Sequence, residues 1–124
     1  MKKIRIQFQI KSTDTSNSFE TIGELKKDRI KFLDNENNTN YIIFHKDLVE
    51  YYKKGNVDMK YKFKEMTTTK GEYTLQGYKF DFDIVTEHLQ VNEGNLWIKY
   101  DLYQNKELVN KTEIQLEYTF LEEE

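Results

Sequence analysis

The sequence predicts an all-β fold: a single antiparallel up-and-down barrel of about eight to ten strands. Three observations carry this. Apolar and polar residues alternate along most of the chain, the period of a half-buried strand. The alternating runs are separated by short clusters of Asn, Asp, Gly and Lys, the composition and length of hairpin loops. No segment keeps an apolar period of 3.6 over the length of a convincing long helix. A β-sandwich fits the same alternation. The consecutive short loops and the large inward residues favour the barrel.

The first strand is read over residues 3–11, with Ile4, Ile6, Phe8 and Ile10 on one face. A polar loop, Ser12 to Asn17, leads to a strand from Phe19 to Lys26, in which Phe19, Thr21, Gly23 and Leu25 share a face. Gly23 inside that strand predicts a bulge or a tight bend, as at barrel corners. Lys27-Asp28 turns the chain into Arg29 to Leu33, and Asp34 to Asn38 turns it again into Thr39 to Phe44. Residues 46–55 fit two periods. Leu48, Tyr51 and Tyr52 stand at helical spacing, but the segment is short and lies between strands, so a strand is favoured. Val57, Met59, Tyr61 and Phe63 then face one way and Asp58, Lys60, Lys62 and Lys64 the other. A short strand from Tyr73 to Leu75 and a Gln76-Gly77 turn follow. Tyr78, Phe80, Phe82, Ile84 and Thr86 are expected inside, opposite Lys79, Asp81, Asp83 and Glu87. Leu96, Ile98, Tyr100 and Leu102 continue the inner face after the Asn92-Glu93-Gly94 turn. Asn105-Lys106 turns into the last strand, Leu108 to Phe120.

With 124 residues and no internal repeat or linker, residues 1–124 read as one domain, its acidic end 121–124 expected to fray. The 37 % hydrophobic share is low, but 8 Phe, 9 Tyr and 1 Trp argue against a disordered chain. The absence of Cys excludes a disulfide scaffold, a thiolate metal site and a Cys nucleophile. A formal charge of −3 argues against a strongly basic nucleic-acid binder. Ile4 to Ile10 alternates instead of forming an apolar leader, and no run approaches the ~18 apolar residues of a membrane span, so a cytoplasmic protein without membrane attachment is expected.

A set of short motifs falls in order along the chain: Phe19-x-Thr21-x-Gly23, then Lys54-Gly55-x-Val57-x-Met59-x-x-x-Phe63, then Tyr73 followed by Gly77, Thr86, and Tyr100-Asp101-Leu102. In this order the chain resembles the YwiB-like family, a domain of unknown function from low-GC Gram-positive bacteria and their relatives. The resemblance covers about residues 4 to 120. It implies a calycin-like (lipocalin-like) antiparallel barrel, with the segment from Leu48 to Lys53 as a strand. The family often carries Arg at the start of the glycine motif, where this chain has Lys53 and Lys54, so a role needing a planar guanidinium does not carry over. The family brings no assigned enzyme activity.

Little in the sequence points to catalysis. His45 and His88 lack the spacing with Asp81, Asp83 or Glu87 that a metal site needs, so no metal and no cofactor are implied. Ser12, Ser16 and Ser18 lie in one polar stretch without a nucleophile elbow. Glu72, beside an expected turn at Gly71, is the one acid near apolar neighbours, and a raised-pKa carboxylate pair is not evident. No catalytic residue is assigned and a non-enzymatic protein is expected. Lys60, Lys62 and Lys64 form a basic stripe near Tyr51, Tyr52 and Tyr73 that could hold a single strand. Flanking Asp58 and Glu65, the net negative charge, and the use of edge lysines against aggregation set that reading lower.

The remaining candidate is the aromatic interior. Inward tyrosines, with Thr21, Thr86, Thr112 and Asn110, predict a partly polar lumen: either a packed core or a cavity for a small amphipathic ligand. In the second case Tyr61, Phe63, Tyr73, Phe80, Phe82 and Tyr100 are the expected ligand contacts, with Lys53 at the mouth for an anionic head group. The rival from another class is an interaction module, a homodimer for example, using Val49, Tyr51, Trp97 and Tyr103 as an outer apolar patch.

Overall fold

Each alternating run becomes a strand, and ten of them close on themselves. The computed structural model describes residues 1–121. Its strands are β1 (Lys2–Lys11), β2 (Ser16–Lys26), β3 (Arg29–Leu33), β4 (Thr39–Phe44), β5 (Val49–Lys54), β6 (Val57–Phe63), β7 (Thr68–Leu75), β8 (Tyr78–Asn92), β9 (Asn95–Gln104) and β10 (Glu107–Phe120). Every strand pairs antiparallel with its neighbours in sequence, and β1 also pairs with β10. The result is a closed up-and-down barrel. Among the described residues no helix is long and apolar enough to cross a membrane.

Turn chemistry sets the register. Gln76 and Gly77 both take positive φ, as do Asn105 and Lys106, the backbone twist that two-residue hairpins require. The segment 46–55 is strand β5, paired with β4 and β6. β2 starts at Ser16, so the polar loop shrinks to residues 12–15. β7 begins at Thr68, and Gly71 is a strand position facing inward, not a turn. A Cβ there would stand 2.7 Å from Ile84 Cδ1 and 2.8 Å from Tyr61 Cδ1, so the bare backbone makes room for both side chains. Leu121 is held by a hydrogen bond from its amide to the Lys3 carbonyl, which extends the β1–β10 pairing past the expected fray point. Residues 122–124 of the acidic end lie outside the described residues.

Isoleucines from six strands, including Ile4, Ile30, Ile42, Ile84, Ile98 and Ile114, are buried in the lumen. Two aromatic groups fill the space between them. Phe8 stacks on Phe19 at 5.2 Å and lies 5.6 Å from Phe32, while Phe63 packs 4.7 Å from Tyr100 and 6.2 Å from Tyr61.

Two expectations about faces are corrected. Tyr78 and Phe80 are 72 % and 39 % exposed, and Phe82 is half-buried. The β7–β8 pairing reaches Leu75↔Tyr78, whereas β8 meets β9 only from Asp83 onward. Residues 78–82 therefore stand on a hairpin flanked on one side, where alternation continues but the barrel does not. Conversely, Val49 and Tyr51 are 1 % and 2 % exposed. They pair with Phe44 and Ile42, which fixes them to the lumen face and removes them from the expected outer patch. Trp97 remains outside and half-buried, its ring 4.4 Å from that of His88 and tilted against it by 57°, and it donates its indole N–H to Glu113. Tyr103 is also half-buried.

Candidate functional site

The polar part of the lumen collects at one end of the barrel, where the β1–β2, β3–β4 and β5–β6 loops meet. Its foundation is the β3–β4 turn. Asn37 takes positive φ, and Asp34 Oδ1 accepts the amides of Glu36 at 2.8 Å and Asn38 at 3.0 Å. This Asx-type turn follows from the local Asp34-to-Asn38 sequence. The other carboxylate oxygen looks inward and accepts Asn40 Nδ2 at 2.9 Å. Asn40 in turn accepts the hydroxyl hydrogen of Tyr51. Asn38 Oδ1 accepts the Val57 amide at 3.0 Å and ties the neighbouring β5–β6 turn to the same end. Lys53 Nζ stands 3.7 Å from Asp34 Oδ2 and 5.9 Å from the Tyr51 ring centre.

A cavity of about 350 Å³ opens over this network. Phe8, Ile10 and Phe19 make its apolar wall, and Asn40, Tyr51 and Lys53 its polar one. The residue 12–15 loop borders it. That loop is pinned to β10: the Thr13 amide donates to Asn110 Oδ1 at 3.3 Å and the Lys111 amide to Thr13 Oγ1 at 3.2 Å. The Lys53 side chain is 19 % exposed, so its ammonium is partly desolvated yet reachable.

Burial pushes the Asp34 carboxyl up, but the hydrogen bonds from Asn40, Asn38 and Glu36 and the charge of Lys53 outweigh it, and the group sits below the usual carboxylate range. The folded value is lower than the unfolded one. Its contribution to stability is therefore complete above the unfolded value of about 4 and is lost as the pH falls through the folded value. Asp34→Asn is expected to cost about 1–3 kcal/mol at pH 7 and to flatten the acid limb of stability against pH. Urea midpoints from pH 7 down to pH 2 check this, and parallel curves for both proteins would contradict it.

The residues expected to contact a ligand are split by the fold. Lys53 lines the cavity. Tyr61, Phe63 and Tyr100 come together, but as packed core, and burial raises the Tyr61 and Tyr100 hydroxyls far above the ordinary tyrosine value. Tyr73 is half-buried, raised by burial first and by the charge of Glu36 second. Phe82 packs against the core edge, while Phe80 is exposed on the hairpin. The expected ligand contacts do not include Asp34, Asn40, Phe8 or Phe19, and they leave Tyr51 to the outer patch. One signal was available: Asn40 is a polar residue at an inward position of the run Asn40, Ile42, Phe44. Among the described residues no group of three or more His, Asp or Glu side chains is placed to hold a metal, and His45 and His88 lie beside Glu50 and Glu65 respectively.

The family described as "Domain of unknown function (DUF1934)" matches residues 3–116. The chain belongs to this family. The crystal structure of the YwiB protein from Bacillus subtilis superposes with a TM-score of 0.71, covering 95 % of this chain and 92 % of that one at 16 % identity. At that identity the likeness speaks for the shared barrel alone. No curated protein matches the sequence.

Proposed function

We propose that this chain is a non-enzymatic cytoplasmic binding protein whose barrel mouth takes a small amphipathic anion. The observation that carries the reading is the two-sided cavity, with Phe8, Ile10 and Phe19 facing Lys53 across about 350 Å³. A volume in this range suits a small ligand, and an apolar wall with few convergent polar groups is the usual make-up of such sites. The apolar part of the ligand lies against the phenylalanines. Its anionic end meets Lys53, whose existing partner Asp34 is 3.7 Å away and already occupied by Asn40 and two amides. The site thus moves from the deep aromatic wall, which is filled, to the rim above it.

A fluorescent fatty-acid analogue is expected to bind with 1:1 stoichiometry. Present at a hundred times its dissociation constant, it should stabilise the fold by about 2.7 kcal/mol. Lys53→Gln should weaken the carboxylate probe about tenfold or more, the worth of a charged hydrogen bond, and leave the corresponding alcohol unchanged. A melting temperature that no such probe shifts would overturn the reading.

One observation favours a second reading, a homodimer. Ile22 and Leu33 are exposed on adjoining strands, flanking the Gly23↔Phe32 pair. They provide an apolar outer surface in place of Val49 and Tyr51. Native mass spectrometry of the purified protein reports bound ligand and oligomeric state together.

A further inference from the structure

A second concavity lies on the outer wall, and Lys53, which also lines the mouth cavity, stands at its border. It is a groove of about 940 Å³ across the outward faces of β3 to β7. At inter-strand spacings of about 4.8 Å this face is roughly 19 Å wide. Its floor is tyrosine. Tyr41 and Tyr52 are direct partners in the β4–β5 ladder, and on its outer side Tyr52 is paired with Lys60. The hydroxyl of Tyr52 donates to Glu50, whose other oxygen lies 3.1 Å from His45 Nε2, so the ring is anchored by its edge. Arg29 and Lys31 stand 6.0 and 5.8 Å from the Tyr41 ring centre.

The charge of this wall runs against that of the whole protein. The chain carries a net −3, yet Arg29, Lys31, Lys54, Lys60 and Lys62 make no ion pair among the described residues. Of the acids lining the groove, Glu72 is taken by Lys79 at 3.2 Å, leaving Asp58. Glu65, which flanks the lysine stripe in sequence, is turned to the Leu89 amide at 2.8 Å. Unpaired cations around an aromatic floor are the two elements of single-strand recognition: charge for phosphates and rings for bases. A purely acidic peptide would use the cations and leave the tyrosines without a role.

We propose that this outer groove binds a short stretch of single-stranded nucleic acid, its bases stacked on Tyr41 and Tyr52 and its phosphates held by Arg29, Lys31, Lys54 and Lys60. The test is fluorescence anisotropy with a labelled twelve-nucleotide oligouridine. Four phosphate contacts on a single strand give a slope near −2.8 in log K against log salt, so affinity should fall about 50-fold from 50 to 200 mM salt. In the double variant Lys54→Gln/Lys60→Gln the slope should halve, leaving a fall of about 7-fold. Tyr52→Leu should weaken binding about tenfold at every salt concentration with the slope unchanged, while Tyr52→Phe, which keeps the ring, restores it. Circular dichroism checks that each variant is folded. Absence of binding at 50 mM salt overturns the proposal. So does equal affinity for a duplex, or displacement by polyglutamate of equal charge together with indifference to Tyr52→Leu, which would mark an acidic protein segment as the occupant.

Discussion

Phe63→Ala is expected to lower stability by about 3–5 kcal/mol, while Phe80→Ala costs about 0.5 kcal/mol or less. Both phenylalanines hold the inward phase of an alternating run, and the pattern alone ranks them together. Phe63 is 0 % exposed, its ring 4.7 Å from Tyr100, and it pairs across the sheet with Val49. Removing it leaves a void in the buried core, beside the Tyr61 and Tyr100 rings that already lie 6.3 Å apart. The surrounding barrel is closed and cannot collapse inward without breaking ladder hydrogen bonds, so the loss should fall at the upper end of that range. Phe80 stands on the stretch of β8 that has β7 on one side and no β9 on the other. Its truncation exposes little that water does not already reach. Urea denaturation of the two variants measures the difference directly. Equal losses would mean that the hairpin folds back over the barrel.

The contrast between these two residues shows what was legible. Period-two alternation identified the strands because each β-strand of a closed barrel has one dry and one wet face. Ile4, Ile6 and Phe8 in β1 and Ile114 and Leu116 in β10 are buried as that rule requires. Turn residues located the hairpins, since Gln76-Gly77 and Asn105-Lys106 can adopt the positive φ that two-residue loops need. Alternation carries no information about where a strand outruns its neighbour, so Phe80 could not be told from Phe63. It is also ambiguous in a run that is aromatic on both faces. In Val49-Glu50-Tyr51-Tyr52 only pairing with Ile42 decides that Tyr51 points in and Tyr52 out. The mouth site was hidden for another reason. Asp34, Asn40, Tyr51 and Lys53 come from a turn and two strands, and the hydrogen-bonded chain linking the first three exists only once β4 and β5 are in register. Lys53 is expected only as a cation at the mouth, and it stands among the residues that line this cavity.

Gly23→Val is expected to destabilise the protein by about 3 kcal/mol, the upper end of the usual cost of overpacking, although valine is the better strand former. The cause is not a bulge. The β1–β2 register runs unbroken from Lys2↔Leu25 to Lys11↔Ser16, and the irregularities of the barrel fall instead between Thr86 and His88 in β8 and between Leu108 and Asn110 in β10. At Gly23 two walls approach too closely for a side chain. A Cβ would lie 2.7 Å from Ile6 Cδ1, 2.7 Å from the Lys31 carbonyl oxygen and 3.1 Å from Phe32 Cβ. The isoleucine can change rotamer, but the carbonyl belongs to the strand paired with Gly23 and can retreat only if the Gly23↔Phe32 and Glu24↔Lys31 pairs loosen. That would open the seam between β2 and β3, where β3 contributes only five residues. At Gly77 the comparison runs the other way. Nothing lies within 4 Å of an added Cβ there, and the φ of +83° is one that asparagine tolerates, so Gly77→Asn should stay within about 0.5 kcal/mol of the parent. Chemical denaturation of both variants separates steric exclusion inside the barrel from backbone preference at a turn. A Gly23→Val protein as stable as the parent would show that β2 and β3 can part without loss.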